Sequence, residues 1–156
     1  MEYIRAAKQP TAGDGCIFCD LPHVGDDAKA RILARAEHAF VLLNSFPYNP
    51  GHLMVAPFQH TGGFDALSPA EHADIDRMIS ASIDALQGEM EPHGYNLGMN
   101  LGRVAGAGIP DHLHWHVVPR WNGDTNFMPV VGQTRVLPEL LEETYAKLRP
   151  RFEGVR

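Results

Sequence analysis

The segment Asp111-His112-Leu113-His114-Trp115-His116-Val117-Val118-Pro119 places an imidazole at every second position. Side chains alternate across a β-strand. A strand over 112–119 therefore sets His112, His114 and His116 on one face, about 7 Å apart along the backbone. Leu113, Trp115 and Val117 then point the other way, into a core. An exposed sheet face is satisfied by any polar residue and does not call for histidine three times, so chemistry is the better account. Two chemistries suit such a row. One is a metal held by several imidazoles, although same-face neighbours on a straight strand point roughly parallel and three converge poorly on one ion. The other is an imidazole nucleophile attacking phosphorus, with its neighbours orienting it and protonating or polarising oxygens.

The loop before the row, Gly102-Arg103-Val104-Ala105-Gly106-Ala107-Gly108-Ile109-Pro110, is built from small residues. Glycines let backbone N–H groups turn inward and approach an anion closely, so Gly106, Ala107 and Gly108 are candidates for a phosphate nest. Alone such a loop is usually only a turn. Leading into three histidines, it points to a phosphate ester or anhydride. A second cluster lies upstream, Cys16-Ile17-Phe18-Cys19. This spacing suits half a zinc site or a redox pair. A redox pair expects a strand before it and a helix running on from it. Here the turn-rich Pro10 to Gly15 precedes and Asp20-Leu21-Pro22 follows, which favours the metal half-site.

Elements must position these residues. Ile32–Ala34 and Ala39–Leu43 are short apolar runs flanking Arg35-Ala36-Glu37-His38 and read as a hairpin. Asn49-Pro50-Gly51 is a turn into a buried strand, His52 to Ala56, closed by Pro57. Ser68-Pro69-Ala70-Glu71 combines an N-cap, a first-turn proline and a capping box. Ile75, Met78, Ile79, Ile83, Leu86 and Met90 follow at helical spacing, which predicts a helix over 69–90. Tyr95 to Leu101 reads as a strand, and a last helix opens at Pro138 and carries Leu140, Leu141, Tyr145 and Leu148. Strands running consecutively around one helix favour an α+β domain with an antiparallel sheet. The expected organisation is a flexible arm over 1–14, a single domain over 15–150 and a tail over 151–156.

The chain has 156 residues, 13 Lys and Arg against 19 Asp and Glu, and a formal net charge of −6. The basic residues are scattered, which argues against a nucleic-acid binder. No apolar run approaches the ~18 residues a membrane span needs. Met1 to Gly15 lacks the apolar stretch of a secretory signal, so a cytoplasmic protein is expected.

His-x-His-x-His followed by two apolar residues resembles the signature of the histidine-triad (HIT) superfamily of nucleotidyl hydrolases and transferases. Asn44…Pro50-Gly51-His52-Leu53-Met54-Val55-Ala56-Pro57 is similar to its earlier motif block, and the similarity runs from about Cys16 through Asn126. The resemblance implies the HIT fold, an antiparallel sheet of about five strands with one long central helix and a C-terminal helix. It also implies a homodimer and a nucleotide substrate. His114 matches the family's nucleophile, attacking an α-phosphorus to give a covalent nucleotidyl-histidine. His116 would contact the α-phosphate and leaving oxygen, and His52 lies beside the triad. Asn44 matches a ribose contact, and Asn100 a polar position near the phosphates. Several relatives carry Ser or Gln just before the triad, where this chain has Gly108 and Ile109, so no side-chain phosphate contact is carried over there. Zinc-bearing members imply a structural Zn2+ on Cys16, Cys19, His60 and His112, giving His112 two duties.

The Asn44–His52 block and Pro119-Arg120-Trp121-Asn122-Gly123-Asp124-Thr125-Asn126-Phe127 resemble the bacterial diadenosine tetraphosphate hydrolases and phosphorylases. Trp121 is a candidate to narrow the site or stack on a base, and Arg120 to meet a phosphate. Asp124 and Asn126 read as turn residues, and His23, His38, His72 and His93 are assigned no chemistry. Rival readings are a phosphoramidate hydrolase, a non-catalytic nucleotide sensor, and a hydrolase using the triad as zinc ligands.

Overall fold

Ile32–Arg35 (β1) and Ala39–Leu43 (β2) form the expected hairpin, with Arg35 opposite Phe40. β2 pairs along its whole length with Leu53–Pro57 (β3), from Ala39 opposite Pro57 to Leu43 opposite Leu53. Pro57 closes the strand from within. Gly94–Met99 (β4) and Trp115–Arg120 (β5) complete a sheet in the order β1-β2-β3-β5-β4, every neighbour antiparallel. The computed structural model describes residues 15–124 and 140–155. The expected arm over 1–14, the helix start at Pro138 and Asn126 lie outside the described residues.

One face of the sheet is covered by the helix Pro69–Met90 (α3), the bounds the sequence predicts. Its start is fixed as expected: the Ser68 hydroxyl accepts from the Glu71 N–H, and the Glu71 carboxylate accepts from the Ser68 N–H at 2.7 Å. Ile75, Met78 and Leu86 pack against Val41, Val55 and Val117, alternate residues of three central strands. Leu113 joins this core and Trp115 packs against it, so the triad's odd-numbered residues face the helix as the alternation demands. Leu141–Leu148 (α4) follows, and the turn Arg149–Phe152 sets Phe152 in the same core. Phe152 falls within 151–156, expected as a tail. The packing of Phe152 makes it part of the domain, an anchor that a lone aromatic near a charged terminus does not advertise.

The opposite face is built by the even-numbered residues. Phe40, Leu42, Met54 and Ala56 are covered by Ile17–Asp20 (α1), with Phe18, and by Ala30 at the end of Asp27–Ala30 (α2). The histidine row differs from expectation in one respect. The strand begins at Trp115, and His112 and His114 precede it in a bent, irregular approach. There the Leu113 N–H donates to the Thr61 carbonyl at 2.7 Å, not to a strand partner. The alternation survives the loss of sheet pairing: Leu113 lies in the helix-side core, while His112 and His114 are buried against Phe18 on the other side.

Candidate active site and metal centre

Among the described residues, four donors meet at the start of the row. Cys16 Sγ lies 3.3 Å from His112 Nδ1, Cys19 Sγ lies 3.3 Å from His60 Nδ1 and 3.5 Å from His112 Nδ1, and the two Nδ1 atoms are 3.3 Å apart. All four ligand atoms fall within 4.8 Å of one another. Tetrahedral Zn2+ with Zn–S near 2.3 Å and Zn–N near 2.05 Å requires S···N edges of about 3.6 Å and an N···N edge of about 3.3 Å. The side chains present fit that geometry. His112 Nε2–H donates to the Pro57 carbonyl at 2.9 Å, which leaves the Nδ1 lone pair pointing at the thiols. The four residues implied by the family resemblance are thus brought together.

Two residues on, the same logic runs in reverse. His114 Nδ1–H donates to the His112 carbonyl at 2.9 Å, so the lone pair of the neutral ring resides on Nε2. Phe18, from inside the Cys-x-x-Cys turn, stacks on this imidazole with centroids 4.8 Å apart. Burial lowers the His114 pKa, opposed by the bond to the His112 carbonyl. The ring is therefore neutral near pH 7, as a nucleophile must be.

His116 receives its tautomer through a relay. The Tyr48 backbone N–H donates to His52 Nδ1 at 3.1 Å, which puts the His52 hydrogen on Nε2. That nitrogen stands 2.9 Å from His116 Nδ1 and donates to it, so His116 carries its own hydrogen on Nε2. Burial, reinforced by His114, pushes the His116 pKa down to about 4. Asn44 supports the relay, its amide nitrogen 3.4 Å from His52 Nδ1 and its oxygen accepting from the Phe46 N–H. The sequence placed His52 beside the triad. Its role as tautomer-setter needed the turn geometry of Tyr48.

His114 and His116 line a cavity of about 250 Å³. Its apolar walls come from Ile17, Phe18, Leu21, Leu42, Met54 and Ile109, and Asn44, Asn100, Gly106 and Gly108 supply polar surface. A slot of this kind takes a flat apolar ring with a polar tail. Two expectations need correction. The loop does not present all its N–H groups: the Gly106 N–H donates to the Arg103 carbonyl and the Ala107 N–H to the Gly102 carbonyl, because the segment closes on itself as a helical turn. Gly106, at φ +91°, shapes this turn, while Ala107 does not line the cavity. Trp121 is not at the site either. Its indole N–H donates to the Met90 carbonyl at the end of α3, which holds the ring at the strand end. His93, assigned no chemistry, accepts from the Asn122 N–H.

Arg120 engages Asp124 through Nε and Nη2, both at 2.7 Å, and Asn96 through Nη1. Asp124, whose pKa is lowered chiefly by Arg120, also accepts from the Asn49 amide and the Trp121 N–H. More than a turn residue, it ties the β2–β3 turn to the end of β5. Sequence reasoning missed Phe18 and Tyr48 as site residues. Phe18 was signalled only by lying between the two cysteines, and Tyr48 contributes a backbone group that no residue type reveals.

The HIT domain family matches residues 26–123. The chain is 39% identical over 127 residues to the AP-4-A phosphorylase of Mycobacterium tuberculosis (strain ATCC 25618 / H37Rv), covering 81% of this chain and 65% of that protein. It thus spans less than two thirds of this relative's length. A HIT-like protein of Methanocaldococcus jannaschii is 32% identical over 109 residues, 70% of this chain and 81% of that one. In fold, the chain resembles a Zn-bound histidine triad family protein from Mycobacterium smegmatis, with TM-score 0.70 and 24% identity over 90% of this chain and 94% of that one.

Proposed function

Because the chain belongs to the HIT domain family, we propose that it cleaves dinucleoside polyphosphates at the α-phosphate through a covalent nucleotidyl-His114. The observation that carries this reading is the opposite tautomers of two neighbouring imidazoles on one cavity wall. His114 offers a lone pair and His116 a hydrogen, each set by a backbone group. In the first step His114 Nε2 attacks the α-phosphorus, forming a P–N bond as the P–O bond to the rest of the polyphosphate breaks. His116 Nε2–H donates a hydrogen bond to the departing oxygen, whose stabilised negative charge makes full protonation unnecessary. In the second step an acceptor oxygen attacks phosphorus, the P–N bond breaks and His114 is restored. Inorganic phosphate serves as the anion, and water would release a proton to solvent.

Asn44 would bind the ribose hydroxyls, the apolar walls the base, and Asn100 with the Gly108 N–H the phosphate oxygens. The name of the M. tuberculosis relative favours inorganic phosphate as acceptor. Cys16, Cys19, His60 and His112 would hold a structural Zn2+, which cross-links the N-terminal segment to the approach of β5. Thiol ligands outside any disulfide suit a reducing, cytoplasmic setting. No helix among the described residues is long and apolar enough to cross a membrane. β4 forms one edge of the sheet, with Leu97 52% exposed, and that edge suits pairing with a second copy in a homodimer.

The test is diadenosine tetraphosphate with and without inorganic phosphate, products resolved by mass spectrometry, and His114→Ala alongside. ADP plus ATP formed only with phosphate is the expected result, and AMP plus ATP without it would assign a hydrolase. Absence of turnover that His114→Ala abolishes would overturn the polyphosphate reading and leave phosphoramidates as the next substrates to try.

A further inference from the structure

A second depression, a groove of about 420 Å³, runs over the β4–β5 face next to the nucleotide cavity. His116, Tyr48 and Asn100 line both and form the ridge between them. We propose that this groove receives the leaving half of the substrate, a nucleoside polyphosphate, and that Gly98 keeps it open. The proposal rests on the reading of the site as a dinucleoside polyphosphate enzyme and assigns the second half of that substrate a place.

In-line displacement sends the leaving oxygen away from the attacking nitrogen. With His114 in the wall of the first cavity, departure is toward His116, whose Nε2–H is set on the ridge. Beyond the ridge the strand continues through Val118 to Arg120, four residues or about 13 Å of backbone. That length suits a polyphosphate chain leading to a second nucleoside. The chemistry along it is complementary to such a chain. Asn96 and Asn100 bring amide donors, and Arg120 closes the far end with its guanidinium fixed by Asn96 and Asp124. Tyr48, 52% exposed, offers an aromatic ring beside the ridge.

Gly98 is the telling residue. It stands directly opposite His116 in the β4–β5 register, so a side chain there would project on the same face, beside the departing oxygen. A Cβ built on Gly98 meets nothing within 4 Å. The backbone needs no glycine at this point, since its φ lies outside the left-handed range, and no packed neighbour excludes a larger residue. What the missing side chain leaves is room in the groove. A glycine inside an edge strand is ordinarily a weakness. β4 has two, Gly94 and Gly98, and Gly98 is the one paired with His116.

Gly98→Ala and Gly98→Leu test the proposal as a graded block, because both fit the fold. The readouts are kcat/KM for diadenosine tetraphosphate and the Kd of AMP, which fills the first cavity alone. Sedimentation and thermal melting monitor assembly and folding. The expected result is a fall in kcat/KM of about tenfold or more for Gly98→Leu, a smaller one for Gly98→Ala, and AMP affinity within twofold of the parent. Unchanged tetraphosphate turnover in Gly98→Leu, or an equal loss of AMP affinity, would overturn the groove. A parent protein that binds AMP but does not turn over the tetraphosphate would instead overturn the reading of the function beneath it.

Discussion

His112 and His114 are two residues apart, both buried, both in contact with Phe18, and they do opposite things. In the first, Nε2 is tied to the Pro57 carbonyl and Nδ1 faces two thiols and a third imidazole. In the second, Nδ1 is tied to the His112 carbonyl and Nε2 is left with the lone pair. The difference lies in which ring nitrogen a backbone carbonyl has claimed. An imidazole has one hydrogen to place when neutral, so a single backbone acceptor determines whether it serves as a ligand through one edge or a nucleophile through the other. The two regions share a strand approach and a phenylalanine, and under the proposed function they divide into a stability centre and a reaction centre.

The sharpest way to break that division is to remove one side at a time. His114→Asn should lower turnover of diadenosine tetraphosphate by about ten-thousandfold, as expected for loss of a covalent nucleophile. Its melting temperature should stay close to that of the parent protein. A loss of stability as large as the loss of turnover would show that the two regions are not separate. The mirror experiment is Cys16→Ser with Cys19→Ser. It should cost on the order of 3 kcal/mol of stability, from the lost cross-link between the N-terminal segment and the β5 approach. Metal content by atomic emission should fall with it. Turnover per folded molecule should survive far better than in His114→Asn. If chelation stopped turnover at a temperature where the protein remained folded, the four-donor cluster would belong to the reaction.

How much of this division the residue types reveal depends on whether a feature is local. The capping box at Ser68 and the apolar spacing from Ile75 to Met90 specify α3 within a few turns of chain, and its bounds are legible. The alternation that sends Leu113 to the helix side and His114 to the cavity side is equally local. It survives even where ladder pairing does not. The four donors span Cys16 to His112, and no local rule joins them; the family resemblance brought them together. What stayed hidden was set by backbone partners. The Gly106 and Ala107 N–H groups are consumed by their own loop, and the Trp121 indole is drawn to a helix-end carbonyl. The Tyr48 N–H orients His52 from a turn. Each depends on where a peptide group points, and the side chain attached to that group carries no trace of it.

A subtler break lies inside the reaction centre. His52→Asn removes the Nε2–H that fixes His116 Nδ1 as an acceptor, while Tyr48 and Asn44 remain in place. With its tautomer unset, His116 spends part of its time with Nε2 unprotonated and unable to donate. Turnover should fall about a hundredfold. The loss should appear mainly in kcat, because the leaving oxygen acquires its charge only in the transition state. A change confined to KM would assign His52 to nucleotide binding and detach it from the relay.

The smallest effect tests His116 itself, through pH. Its pKa in the folded protein stands at about 4 against an ordinary 6.5, lowered by burial and then by His114. The unfolded chain therefore takes up a proton first as pH falls. Above 6.5 both states hold the ring neutral and the group adds no pH dependence. Between 6.5 and about 4 the unfolded state binds more protons, so folding stability drops across that window and levels off below it. Denaturation midpoints at pH 7.5, 6, 5 and 4.5 should show this decline. His116→Gln, which cannot titrate, should show a shallower one, the remainder coming from other buried imidazoles such as His114. Parallel curves for the two proteins would mean that His116 is protonated in the folded state within this range. The neutral ring needed to accept from His52 and donate toward the leaving group would then be the minority form below pH 6.5.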